Sequence, residues 1–232
     1  MYPEYLYNND TQEIRDRVCE LAVTDEPALR ARCQEVSRQT DTSSLALQED
    51  CAAKLNAIGA VFSAMANILE ALLQSLGREA GIFGTQNRQS DFEAVCHAVT
   101  HIEEERLHLL SCITDLTQMR RAVFSAVAEA NRALHFLSLA GRFVPKDAHP
   151  HYAEATEHTK AAHKRLTSLD ATVREAQNFY MTFTERHLPT FMEHLRAAAD
   201  FNHAGAALDK RAIRMLCKEL FVLLDRTPNV SF

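Results

Sequence analysis

The stretch from residue 51 to residue 77, "CAAKLNAIGAVFSAMANILEALLQSLG", decides the fold. Cys51, Leu55, Ile58, Phe62, Met65, Leu69, Leu72 and Leu76 follow one another at alternating steps of four and three. That is a heptad seam, the pattern of a helix that buries one stripe against neighbouring helices. Val61, Ile68 and several alanines widen the stripe, so this helix is expected to meet two partners. Val61, Phe62, Ile68, Leu69 and Leu72 are therefore candidate residues for a dimer or partner interface. Residues 57–76 are also the most apolar run in the chain. Asn67, Glu70 and Gln74 interrupt it, and the reading is a buried core helix rather than a membrane span.

The same periodicity extends outward from that segment. Upstream, Asp10 with Glu13 suggests a capping box and a short helix near 11–23. Asp25 followed by Pro27 marks a second start, and "TDTSS" at 40–44 is expected to interrupt or kink the helix that follows. Downstream, Ser90 with Glu93 suggests a cap for a helix over 91–140. Its seam reads Val95, Val99, Ile102, Arg106, Leu109, Ile113, Leu116, Arg120, Val123, Val127, Ala130, Leu134, Leu137. The two arginines on that seam predict partial exposure there. Gly141 supplies a helix stop and Pro150 a restart. The third long helix reads Tyr152, Ala155, Thr159, Ala162, Leu166, Leu169, Val173, Ala176, Tyr180, Phe183, with a kink at Pro189. Beyond the kink the stripe moves to Phe191, Leu195, Ala198 and Asn202 or Phe201. A last helix near 209–225 presents Ile213, Leu216, Leu220, Phe221 and Leu224. No strand alternation of useful length is present.

These patterns predict an all-α fold: an elongated antiparallel bundle of three long helices with short N- and C-terminal helices. Residues 1–23 are read as an N-terminal tail with a short helix, 24–226 as one helical domain with its hairpin tip at 141–150, and 227–232 as a C-terminal tail. The chain of 232 residues is long enough for a substantial core. Its six glycines and six prolines predict few turns and long elements.

Charge is unevenly spread around a formal net of -6. Residues 1–50 hold eleven acids and five bases, whereas 120–165 hold eight bases and four acids. That basic region also carries five histidines and surrounds the turn "GRFVPKDAHPHY" at 141–152. Arg132, Arg142, Lys146, Lys160, Lys164 and Arg165, with the apolar pair Phe143 and Val144, form a candidate surface for anionic membranes. Phe143 is either a shallow wedge or a staple folded back on Tyr152 or Leu139. The histidines predict stronger binding below about pH 6.5, where free imidazole gains a proton.

No P-loop, dinucleotide fingerprint, nucleophile elbow or zinc-protease motif occurs, so no catalytic residue and no cofactor is assigned, and the chain is read as non-enzymatic. Nucleic acid is not expected as a partner, because the total charge is acidic and no reading motif is present. "HAVTHIEEERLH" at 97–108 sets His97, His101, Glu104 and His108 on one helix face, an alternative metal site on the outer surface. The six cysteines form no C-x-x-C pair and predict reduced thiols. With no recognisable secretory signal at the N-terminus, the expectation is a cytoplasmic protein at the membrane periphery.

This layout resembles the BAR domain, including the sorting-nexin type, over about residues 24–226. Long helix lengths, the tip between the second and third helices, the late kink and the basic end carry the likeness. The resemblance implies a homodimer built around a central six-helix bundle that binds curved anionic membranes through basic residues. Rival readings are a coiled-coil adaptor for another helical protein, a metal-binding bundle and a helical pore former.

Overall fold

In the computed structural model, residues 5–77, 88–146, 148–203 and 208–226 are described. They form an all-α bundle: α1 (Tyr5–Thr24), α2 (Glu26–Gly77), α3 (Arg88–Ala140), α4 (His149–Thr182), a π-helical turn (Phe183–His187), α5 (Leu188–His203) and α6 (Lys210–Leu224). No strand occurs among the described residues. Two predicted caps fall inside helices. Asp10 lies within α1 and Ser90 within α3, because neither 5–10 nor 88–90 contains a glycine or proline to stop the helix earlier. The chain divides into two compact units, Met1–Asp50 with Met119–Thr172 and Cys51–Gln118 with Val173–Phe232.

In the first unit, Leu29 and Cys33 of α2 are buried with Phe136, Leu137 and Ala140 of α3 and with Ala155 of α4. Val18 of α1 is wholly buried in the same cluster, with Ile14, Leu21 and Tyr152 packed against it. The N-terminal helix is thus part of the core rather than a tail. Asp25 separates it from α2 and caps the second helix, its Oδ1 accepting from the Ala28 N–H at 3.2 Å.

The predicted break at 40–44 does not occur, since α2 runs unbroken from Glu26 to Gly77. Its hydroxyls find partners within the helix: Thr40 donates to the Val36 carbonyl at 2.8 Å and Ser44 to the Asp41 carbonyl at 2.7 Å. From α4, Arg165 then donates to Ser44 Oγ at 2.6 Å and to Asp41 Oδ1 at 3.1 Å. The polar stretch is thus a docking point for an arginine within an unbroken helix.

In the second unit every residue of the 51–76 seam is buried. Phe62 meets Tyr180 edge-on, with ring centroids 5.5 Å apart, and Phe183 at 5.0 Å. Val95, Ala98, Ile102, Leu109, Ile113 and Leu116 bury the facing side of α3, while Val99 and Arg106 stay partly exposed. Gln177 donates to Thr117 Oγ1 at 2.8 Å, and Lys54 pairs with Asp115 at 2.7 Å.

The expected kink at Pro189 takes the form of the π turn just before it. The Leu188 N–H bonds to the Phe183 carbonyl, five residues back. Proline has no N–H, and its ring crowds the carbonyl four residues earlier, so one wider turn relieves both conflicts. The stripe then shifts to Leu188, Phe191, Met192, Leu195 and Ala199. Ala198 is only half-buried, and the side chains of 201–203 lie outside the described residues. Asp209 caps α6 by accepting from the Arg211 and Ala212 N–H groups, both at 3.0 Å. Ile213, Cys217, Leu220 and Leu224 form its buried face, with Leu216 and Phe221 only half-buried. Arg214 donates to the Leu76 carbonyl at 2.5 Å, placing a cation on the C-terminal turn of α2.

Candidate functional site

The basic tip between α3 and α4 is a structured turn in the first unit. Gly141 donates to the Leu137 carbonyl at 2.9 Å, Arg142 to Leu139 at 3.1 Å and Phe143 to Ala140 at 2.9 Å, so the last turn tightens to three-residue bonds. On the far side Ala148 donates to the Pro145 carbonyl at 3.1 Å and Tyr152 to Ala148 at 3.3 Å. Tyr152 reaches back across the turn and its hydroxyl donates to the Leu137 carbonyl. Gly141 serves this contact: a Cβ there would lie 2.6 Å from Tyr152 Cζ. The helix stops at Ala140, as expected at Gly141, but the glycine's backbone is not in the left-handed region, so the close approach of Tyr152 explains the residue.

This geometry separates the apolar pair. Val144 is half-buried and lines a small pocket with Pro145, Ala148, Tyr152, Leu29 and Cys33. Burial there pushes the Cys33 thiol up to about 11. Phe143 turns outward and is 42% exposed, between the exposed Arg142 and Lys146. Those two cations form no ion pair with any described residue.

The other basic residues singled out from the sequence are placed differently. Lys160 is exposed and pairs with Glu157 at 2.8 Å, and Lys164 is exposed on the same helix. They lie eleven and fifteen residues into α4, about 17 and 23 Å along its axis from its start. Arg132 is exposed and helps to wall a groove. Arg165 is held by Asp41 and Ser44, a partnership that sequence reasoning missed because those groups are more than 120 residues away.

That groove lies in the first unit and encloses about 1030 Å³. Ile14, Leu21, Val36, Ala130, Phe136 and Leu166 supply its apolar lining, and Arg17, Arg32, Arg132, Glu13, Glu35 and Glu129 supply charges of both signs. Arg38 bonds Glu35 and holds its carboxyl below the usual range.

In the second unit, the chain's own packing buries Val61, Phe62, Leu69 and Leu72, and leaves Ile68 half-buried. Of the five candidate interface residues, Ile68 is the one with surface to offer a partner. The histidine row resolves into two groups. His101 Nε2 lies 2.9 Å from His97 Nε2, and His101 Nδ1 lies 2.8 Å from Glu104 Oε2. His108 is apart from them and faces Glu105 at 3.6 Å. Among the described residues no three side chains converge as a metal-ligand set. All six cysteines are free thiols; Cys33, Cys51 and Cys217 are buried and Cys96 is exposed.

No protein-family model, curated protein or solved structure matches this chain.

Proposed function

We propose that the protein is a non-enzymatic helical scaffold that binds anionic membrane surfaces through the α3–α4 tip and acts as a homodimer, in a BAR-like role. The observation that carries this reading is the split of the apolar pair. Val144 anchors the turn inward while Phe143 faces outward beside two exposed cations that pair with no other described residue. A hydrogen-bonded turn with an outward aromatic and flanking cations suits the headgroup boundary, where the ring meets acyl chains and the cations meet phosphates.

Magnitudes rank the residues. Arg142 and Lys146 each contribute about 1 kcal/mol near an anionic leaflet. A shallowly inserted Phe143 adds about 1 kcal/mol, a fraction of the roughly 1.5–3 kcal/mol of full burial. The sum of about 3 kcal/mol falls short of the 4.1 kcal/mol of millimolar binding. One tip is therefore marginal, and a dimer carrying two tips gains through effective concentration. Lys160 and Lys164 lie beyond a Debye length of about 8 Å from an end-on surface and add little in that pose. Arg165 is engaged with Asp41 and ranks last.

Vesicle co-sedimentation tests the reading. The protein is expected to pellet with phosphatidylserine-containing vesicles, not with neutral ones, and to release as salt rises. Substituting both Phe143→Ser and Lys146→Glu should abolish most of the binding. Unchanged binding by that double variant removes the tip from the mechanism.

One observation favours a second reading, an adaptor for a helical partner. The groove beside α1 joins an apolar floor to charges of both signs, the surface an amphipathic helix with mixed-charge flanks would take. It predicts that binding to a partner is sensitive to Val36→Glu and indifferent to changes at Phe143.

A further inference from the structure

We propose that His97 and His101 form a two-histidine site for a divalent transition metal, Cu(II) or Ni(II), with Glu104 orienting the second ring. The two residues are one helical turn apart on α3, and their Nε2 atoms already face each other at 2.9 Å. The rings are close, with centroids 4.1 Å apart, and both are accessible: His97 is exposed and His101 is partly so.

Tautomers follow from the hydrogen bonds. The Glu104 carboxylate can only accept, so His101 carries its proton on Nδ1. Its Nε2 lone pair is then free to accept, and in the metal-free protein the His97 Nε2–H occupies it. When a metal binds, His97 carries its proton on Nδ1 instead, and both Nε2 lone pairs point at the ion. A histidine ligand whose other nitrogen donates to a carboxylate is the usual arrangement at metal centres, because it fixes the ring and raises its basicity.

Metal binding breaks the 2.9 Å N–H···N contact, and both rings turn so that their Nε2 lone pairs converge on one ion. Two imidazoles held one helical turn apart suit cis positions of a square-planar or octahedral ion, the preference of Cu(II) and Ni(II), and Cu(II) stands highest in the affinity order for such nitrogen sites. The remaining coordination positions fall to water or to a small exogenous ligand. A cavity of about 320 Å³ beside His97, lined by Asn67, Ile68 and Ala94, leaves room for one. His108 faces Glu105 and has no part in the site.

Calorimetric titration of the untagged protein with Ni(II), and electron paramagnetic resonance with Cu(II), test the assignment. One equivalent of Ni(II) is expected to bind. Both His97→Gln and His101→Gln should weaken binding at least tenfold, Glu104→Gln about tenfold, and His108→Gln not at all. The Cu(II) spectrum should show hyperfine coupling to two imidazole nitrogens. The variants lie on the surface, and circular dichroism checks that each is folded. Ni(II) binding no tighter in the wild type than in the His97→Gln/His101→Gln double variant overturns the site. Equal weakening by His108→Gln overturns the choice of ligands, and a neutral Glu104→Gln overturns the orienting role.

Discussion

Gly141 and Tyr152 hold the tip in one shape, and the pair is a direct test of that shape. Gly141→Ala places a methyl group within 3 Å of a ring that is tied to the Leu137 carbonyl. The expected cost is about 1–3 kcal/mol, typical of overpacking at a fixed contact. Tyr152→Leu removes the obstacle, so the double variant should lose less stability in thermal unfolding than the two single losses added together. Additive losses would mean that Tyr152 yields freely. Thiol chemistry gives a second residue-scale expectation. Burial pushes Cys33 and Cys217 up to about 11, so both remain protonated and unreactive at pH 8. In the native protein a thiol reagent should modify the exposed Cys96 first and reach Cys33 and Cys217 only on unfolding. Mass mapping of the modified peptides after a short exposure checks this order.

The heptad seams made the long elements legible, because a spacing of four and three is set by helix geometry alone. All eight residues from Cys51 to Leu76 are buried as their spacing requires, and the α4 stripe from Ala155 to Phe183 is equally faithful. What the sequence hid was long-range pairing. The run at 40–44 reads as a break because hydroxyls compete locally with the backbone, yet Arg165 makes it a helical docking point. Arg165→Ala should leave the fully buried Ser44 short of a partner and cost about 1–3 kcal/mol. That is a fall of roughly 2–12 °C in the midpoint for a chain of this size. The same variant should keep its vesicle binding while folded, which separates Arg165 from the tip cations. Arg165→Lys should recover only part of the loss, since an ammonium does not present the guanidinium fork. At the tip, the cations were visible in the sequence, but which of Phe143 and Val144 turns outward was not. That choice needed side-chain positions, which set Val144 beside Leu29 and Tyr152 and leave Phe143 exposed. The helical spacing of His97 and His101 was likewise legible, whereas the link from His101 to Glu104 and the separation of His108 needed side-chain positions.

At the scale of the whole molecule, the proposed function rests on a weak contact made twice. A tip contributing about 3 kcal/mol cannot hold a 232-residue protein on a membrane alone. The proposal therefore requires a dimer, and sedimentation velocity should find twice the monomer mass at the concentrations where vesicle binding occurs. The chain contains no tryptophan, so Phe143→Trp introduces a single reporter at the point proposed to enter the headgroup layer. With phosphatidylserine-containing vesicles, its emission is expected to shift to the blue and to be quenched by lipids brominated near the headgroup, with both effects reversed by salt. Emission unchanged on addition of those vesicles would contradict the account.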